Sequence, residues 1–238
     1  MMRALVTGGS SPIGTAVAEE LAGSDVHVIV HANHNTAAAN ETVERIVQGG
    51  GSAEALTLDL LDPSSANVLS AMADDAAIQI FVHCVGRSRD MPFAAMSHED
   101  WHEIVDLNLN TLFTALRPII LPMMRQRWGR IIAVSSLTAV IGNRGQTNYA
   151  AAKGGMLALV KSLTREYGAR GLTANVVAPG LIETADTEAL SNFDELIKHC
   201  PAKRAGKPAE VAALVGFLAS EQASYISGQL IAIDGGTS

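Results

Sequence analysis

Short apolar runs alternate with segments whose apolar residues recur every three or four positions, from one end of the chain to the other. Apolar runs of four to eight residues bounded by Gly or polar positions read as buried strands; three-to-four spacing reads as one face of a helix. Strands are predicted at residues 3–7, 26–30, 53–59, 78–84, 130–135, 172–178 and 229–233. Helices are predicted at 13–21, 36–47, 99–125, 148–167 and 208–219. About seven short strands alternating with helices imply an α/β chain. Its architecture would be a doubly wound parallel sheet with helices on both faces. No linker, repeat or low-complexity stretch interrupts the pattern, so residues 1–238 read as one domain. Gly49-Gly50-Gly51 reads as a helix-ending turn. Residues 180–208 are the least regular. They follow a strand's carboxyl end, where ligands of such sheets bind, and read as a substrate loop.

Composition agrees with a closely packed sheet. Hydrophobic residues make up 48% of the 238, yet aromatics only 4%, so aliphatic side chains and Gly must fill the core. The net charge of −7, with no Lys/Arg run, argues against nucleic acid as a partner. Only Cys84 and Cys200 are present, far apart, and no signal-like segment opens the chain. A reducing cytoplasm is the simpler expectation. No uninterrupted apolar run reaches the length of a membrane span.

Thr7-Gly8-Gly9-Ser10-Ser11-Pro12-Ile13-Gly14 joins the first strand to the first helix. Glycines let a backbone turn tightly and approach a pyrophosphate, and a helix N-terminus offers free N–H groups and a positive dipole end. Such a loop also suits an ordinary strand–helix turn. Pro12 fits the first helical position, and it biases Ser11 toward the extended conformation an N-cap needs. Its cost is one missing N–H.

Tyr149 and Lys153 stand four apart on a predicted helix, hence on one face. A phenol is a weak acid at neutral pH, and a neighbouring ammonium stabilises its phenolate. Thirteen residues upstream, Ser136 ends an apolar strand, where catalytic groups of such sheets sit. His98 and His102 are also four apart but lack a third ligand, so they read as a solvated helix face; no metal is expected. Trp101 and Trp128 read as packing residues.

These segments resemble the short-chain dehydrogenase/reductase family, and the resemblance covers nearly the whole chain. It implies a single Rossmann-type domain. The loop at 7–14 resembles the family's Thr-Gly-x-x-x-Gly-x-Gly, with Pro12 in place of the middle Gly. Asn108, Ser136, Tyr149 and Lys153 match its catalytic residues, Ser136 rather than Ser135 by the spacing to Tyr149. The resemblance implies cofactor contacts from Gly8, Ser10, Ser11, Ile13 and Gly14 in the first loop. Others would come from Asn33 and His34, Asp59 and Leu60, Gly86, Tyr149 and Lys153, and from Pro179, Gly180, Ile182 and Thr184.

The cofactor is expected to be NADP(H). NAD sites usually carry an acid at the tip of the second strand, here placed at Ala32, and the neighbours His31, Asn33, His34 and Asn35 are hydrogen-bonding residues. A plain polar strand-end loop is the alternative reading of them. His83-Cys84-Val85-Gly86 stands where the family usually has Asn-Asn-Ala-Gly; His83 reads as structural and Cys84 as a small buried residue.

Within the family the resemblance is to 3-oxoacyl-(acyl carrier protein) reductases, through 142–149 and 180–184. It implies reduction of a carrier-bound 3-oxoacyl thioester, in fatty-acid or polyketide/polyene synthesis, by a cytoplasmic homotetramer or dimer with no membrane partner. Arg127 and Arg170 match the subgroup's carrier-docking positions, though both equally suit an ordinary surface; the docking patch is expected near the active-site mouth. A reductase of a free ketone, sugar or steroid, and a non-catalytic dinucleotide sensor, are the alternatives.

Overall fold

The computed structural model describes residues 1–23 and 25–238. Its centre is a seven-stranded, all-parallel sheet of order β3-β2-β1-β4-β5-β6-β7. The strands are β1 Met2–Thr7, β2 Val26–Ala32, β3 Ser52–Thr57, β4 Ile80–His83, β5 Gly129–Val134, β6 Leu172–Pro179 and β7 Leu230–Ile233. Helices α1 (Pro12–Ala22), α2 (Thr36–Gln48) and α3 (Ser65–Asp75) connect the first four strands. Then come α4 (His98–Val105), α5 (Thr111–Arg125), α6 (Thr138–Ile141) and α7 (Thr147–Tyr167). After β6 follow α8 (Ala185–Glu188), α9 (Phe193–His199) and α10 (Pro208–Ala219).

Successive strand side chains point to opposite faces, so each strand feeds two cores. One packs Val6, Val28, Val30 and Val82 against α1 and α10, through Val17, Leu21, Val211 and Val215. The other packs Leu5, Phe81 and Ile131 against α3, α5 and α7, through Leu69, Leu112, Ile119, Met156 and Val160. Because β1 pairs with both β2 and β4, the chain changes direction between β1 and β4. At that switch a crevice opens at the strands' carboxyl edge.

The predicted strands all exist, several with shifted ends. The run at 78–84 shortens to β4, and that at 53–59 ends at Thr57. The predicted helix 99–125 is α4 and α5 joined through a π-helical turn, Asp106–Asn110. This combined run, His98–Arg125, is long and apolar enough to cross a membrane, which run length alone did not suggest. Here it is a core helix: Ile104, Leu112, Ala115, Ile119 and Met123 are fully buried.

Candidate active site

The first loop is held by a dense set of local bonds. Ser11 is extended and caps α1, accepting from the Gly14 N–H at 3.1 Å, and Pro12 opens the helix, as expected. Its hydroxyl also donates to the Gly8 carbonyl at 2.8 Å. Gly8 has φ +68°, and a side chain on it would press on the backbone of Cys84 and Val85 within 3.0 Å. Gly14 packs so close to the Gly8 carbonyl that no side chain fits. This is a cradle a Cβ would fill, and its shape suits a backbone-bound phosphate group.

In front of the cradle lies a cleft of about 240 Å³. Gly8, Ser10, Ser11, Asn33, Asp59, Leu60 and Gly86 line it, as the sequence suggested for the dinucleotide. His31, named among the residues beside the cofactor, lines it too, as do Leu61, Cys84, Val85, Arg87, Leu107 and Thr111, which were not foreseen. Ile13, Gly14 and the exposed His34 lie outside this lining.

Two expectations at the second strand change. Ala32 is 1% exposed, so the residue reaching the cleft is its neighbour Asn33. His31 is not free to meet a ligand. Its ring is buried, with Nδ1 accepting the Gly8 N–H at 3.2 Å and Nε2 bonded to the Leu58 carbonyl at 2.8 Å. Burial lowers its pKa, so it braces the loop as a neutral ring. Asn35 is likewise committed, as the cap of α2.

His83 takes the structural role read from the sequence. It is fully buried, with Nδ1 2.8 Å from the Thr7 hydroxyl and Nε2 3.4 Å from that of Thr111. Burial holds its pKa well below the usual value. Cys84 is partly buried and its thiol is pushed up to about 12 by burial, so it is no nucleophile at neutral pH.

Ser136, Tyr149, Lys153 and Asn108 converge at the same edge. The π-helical turn displaces Asn108 from the ordinary ladder. Its amide donates to the carbonyls of Arg87 at 2.9 Å and Ile104 at 2.8 Å, while its buried Oδ1 has no partner. Lys153 donates to the carbonyls of Val85 at 3.1 Å and Val134 at 3.0 Å. A side chain on Gly86 would collide with both Asn108 Oδ1 and Lys153 Nζ, so this Gly leaves the space between them. Asn148 accepts the Tyr149 N–H and donates to the Asp100 carbonyl, fixing the start of α7 against α4. Gln146 donates to Asp90 and accepts from Thr138, tying three loops around Tyr149. Ser135 is occupied elsewhere, donating to the Lys153 carbonyl at 2.9 Å.

The phenol differs from expectation. Burial pushes the Tyr149 pKa above its ordinary value, the Ser136 hydroxyl opposes this by a hydrogen bond, and Asp90 adds to the rise. Lys153 Nζ sits 5.8 Å from the ring centre and faces carbonyls. Burial without a carboxylate lowers Lys153 to about 8. At neutral pH Tyr149 therefore carries its proton and is poised as a donor.

Outside this lining, Pro179 ends β6 and Gly180 packs against Asp234. Ile182 is buried and pairs with Gly206. The Thr184 hydroxyl, expected near a carboxamide, caps α8 through Thr187.

Arg127 and Arg170 do lie together, with Arg127 donating to the Ala169 carbonyl at 3.4 Å. They precede β5 and β6, whereas Ser136 follows β5. The pair is thus at the amino edge of the sheet, opposite the catalytic group, and not at its mouth.

A family model described as Enoyl-(Acyl carrier protein) reductase matches residues 8–238. The chain is 40% identical over 237 residues to the 3-oxoacyl-(acyl-carrier-protein) reductase FabG of Salmonella typhimurium, covering 98% of this chain and 96% of the relative. It is 40% identical over 238 residues to that of Escherichia coli, with the same coverage. A crystal structure described as a putative gluconate dehydrogenase from Agrobacterium tumefaciens superposes with TM-score 0.94 at 30% identity, covering 99% of this chain and 95% of that one.

Proposed function

The chain belongs to the short-chain dehydrogenase/reductase family, and we propose that it reduces the 3-oxo group of an acyl thioester held on acyl carrier protein, with NADPH as reductant. It is an oxidoreductase acting on C=O and CH–OH groups, with a nicotinamide dinucleotide as cofactor. The observation that carries the reading is Tyr149 at the carboxyl edge, hydrogen-bonded to Ser136 and held by burial in its protonated form, on the sheet edge that also carries the glycine cradle.

The nicotinamide, when bound, supplies the hydride that reduces the carbonyl carbon. Tyr149 gives its phenolic proton to the carbonyl oxygen, and Ser136 donates a hydrogen bond that orients that oxygen. Lys153, with two N–H groups given to carbonyls, would hold the nicotinamide ribose with the third. The unpartnered Asn108 Oδ1 faces the same space and suits a water through which Tyr149 regains its proton. Asn33, a neutral hydrogen-bonding residue where β2 reaches the cleft, favours a 2′-phosphate. The 180–208 segment, with exposed Leu190 and Leu196, forms the acyl side.

A cytoplasmic homotetramer accompanies this reading. Phe113 and Leu121, 58% and 51% exposed, stand eight apart on α5, and β7 is only half covered. Burial of such surface favours self-association. Arg127 and Arg170 lie at the amino edge, so a carrier docked there would not reach the catalytic group of the same chain directly. Loss of NADPH absorbance should be measured with carrier-bound, CoA-bound and enoyl thioesters and with simple ketones, side by side. The carrier-bound 3-oxoacyl thioester should give the highest kcat/KM. Reversing both arginines to Glu should reduce that value and spare a small ketone; equal rates on all ketones would sink the carrier assignment. The likeness to a gluconate dehydrogenase favours a second reading, a free polyol or sugar acid, which the same assay run in reverse detects. A protein that binds NADPH but turns over none of these would be a sensor.

A further inference from the structure

The cradle is poor in free donors. Of its amides, Gly8 and Gly9 give their N–H to Nδ1 and the carbonyl of His31, Ser11 to the Gly8 carbonyl, and Gly14 to the Ser11 hydroxyl. Pro12 has none. Ser10 and Ile13 are the amides that remain, and the Ser11 hydroxyl is already spent on Gly8. A pyrophosphate carries two negative charges, and two amides with a helix dipole of about half a charge offset only part of them. No Lys or Arg stands in the cradle itself.

The opposite wall supplies one. Among the side chains lining the cleft, Arg87 is the one cation beside the neutral His31, and Asp59 is the one carboxylate. Arg87 follows Gly86 at the end of β4, and the Cys84–Val85 backbone before it touches the cradle at Gly8. Its present partner is Glu103 on α4. Glu103 does not depend on it, because Arg89 bonds Glu103 at 3.1 Å and Asp100 at 2.9 Å. Two arginines thus share two carboxylates at the cleft's rim, and Arg87 can leave without stranding a carboxylate. The pair is largely exposed, so breaking it costs little.

We propose that Arg87 exchanges Glu103 for the cofactor's pyrophosphate, supplying from the β4 wall the positive charge the cradle lacks. Glu103 then acts as a competing anion that holds Arg87 when no dinucleotide is bound. The pyrophosphate is favoured over a 2′-phosphate because Arg87 follows β4, the direct neighbour of β1, whereas Asn33, beside any 2′-phosphate, follows β2, one strand further out. This rests on the family's dinucleotide cofactor, and not on the acyl substrate or on the NADPH preference.

The test is the dissociation constant, followed by nicotinamide fluorescence, for NADPH and NADH at two salt concentrations. Charge-assisted hydrogen bonds contribute about tenfold or more to such constants. Arg87→Gln should raise Kd about tenfold for both dinucleotides and flatten the salt dependence. Glu103→Gln should lower Kd severalfold, since it frees Arg87. Arg89→Gln, which leaves Glu103 to Arg87 alone, should raise Kd by less than Arg87→Gln does, and all three should melt near the parent. Unchanged binding in Arg87→Gln overturns the proposal, as does a loss confined to NADPH, which would move the contact to the 2′-phosphate. If Arg87→Gln fails to fold, unchanged or weaker binding in Glu103→Gln overturns it. Failure of the parent to bind either dinucleotide would instead refute the cofactor reading itself.

Discussion

Strand β5 has a buried cation at each end. At its amino end Arg130, 2% exposed, donates to the carbonyls of Ser220 at 3.1 Å, Gly129 at 3.0 Å and Gly171 at 3.4 Å. Glu221 lies 3.6 Å away, and the Trp128 ring lies beneath the guanidinium at 4.3 Å. Trp128 itself donates to Glu221. At the carboxyl end Lys153, 3% exposed, has two carbonyls and no carboxylate, with the orphaned Asn108 Oδ1 across the Gly86 gap. One cation is fully used by the protein. Burial lowers the pKa of both, but Glu221 opposes the fall at Arg130, whereas Lys153, with no carboxylate, falls to about 8. Chemistry sits at buried polar groups whose bonding is incomplete.

The comparison breaks first at Tyr149. If the carboxyl edge is built for proton donation, Tyr149→Phe loses about 10²–10⁴-fold in kcat, the usual worth of a general acid. The melting temperature should hardly move, because the ring and its packing remain. A Phe variant with near-parent turnover would take the proton donor away from this edge.

The two cations themselves give the next effect. Arg130→Met leaves three carbonyls without a donor and should cost about 2–4 kcal/mol by denaturant unfolding. Lys153→Met removes a poorly compensated charge and should be neutral or stabilising at pH 7, though inactive. The pH dependence sharpens this. The folded Lys153 pKa, about 8, is below its unfolded 10.5, so the folded protein holds fewer protons between those values. Stability from this group therefore rises with pH across that window. Its burial penalty is fully present below pH 8 and is relieved above. Lys153→Met should lack the rise. Parent stability flat from pH 8 to 10 would show that Lys153 is as well compensated as Arg130.

Much of this was readable from sequence, for a physical reason. Parallel strands buried on both faces must be apolar throughout, so β1, β2, β5 and β6 stand out as runs. Tyr149 and Lys153 are legible because helical spacing alone puts them on one face. The π-helical turn at Asp106–Asn110 was not, since its apolar spacing continues that of α4 and α5. The helix α3 is written in Ala, Ser and Asp with few large apolar residues, and escaped naming. The reach of Arg87 into the cleft and the burial of Ala32 are tertiary facts, fixed by which strands become neighbours. The amino-edge position of Arg127 and Arg170 could have been read: both stand just before a predicted strand, not after one.

The smallest effect concerns His83, a carboxyl-edge group that is nonetheless fully engaged. It bridges β1 and α5 through the Thr7 and Thr111 hydroxyls, and burial keeps it neutral. An unfolded His has an ordinary pKa of 6.5, above the lowered folded value. The unfolded chain thus binds more protons below that pH, and stability falls as the pH drops through it. Asn at this position keeps one donor and one acceptor but does not titrate. His83→Asn should therefore change stability by less than about 1 kcal/mol at pH 7.5. At pH 5.5 it should be more stable than the parent, by thermal melting in matched buffers. Part of the acid sensitivity should remain, because His31 is also buried and held neutral. Should His83→Asn melt lower than the parent at both pH values by the same amount, His83 would be valued for its shape and not for its neutral charge.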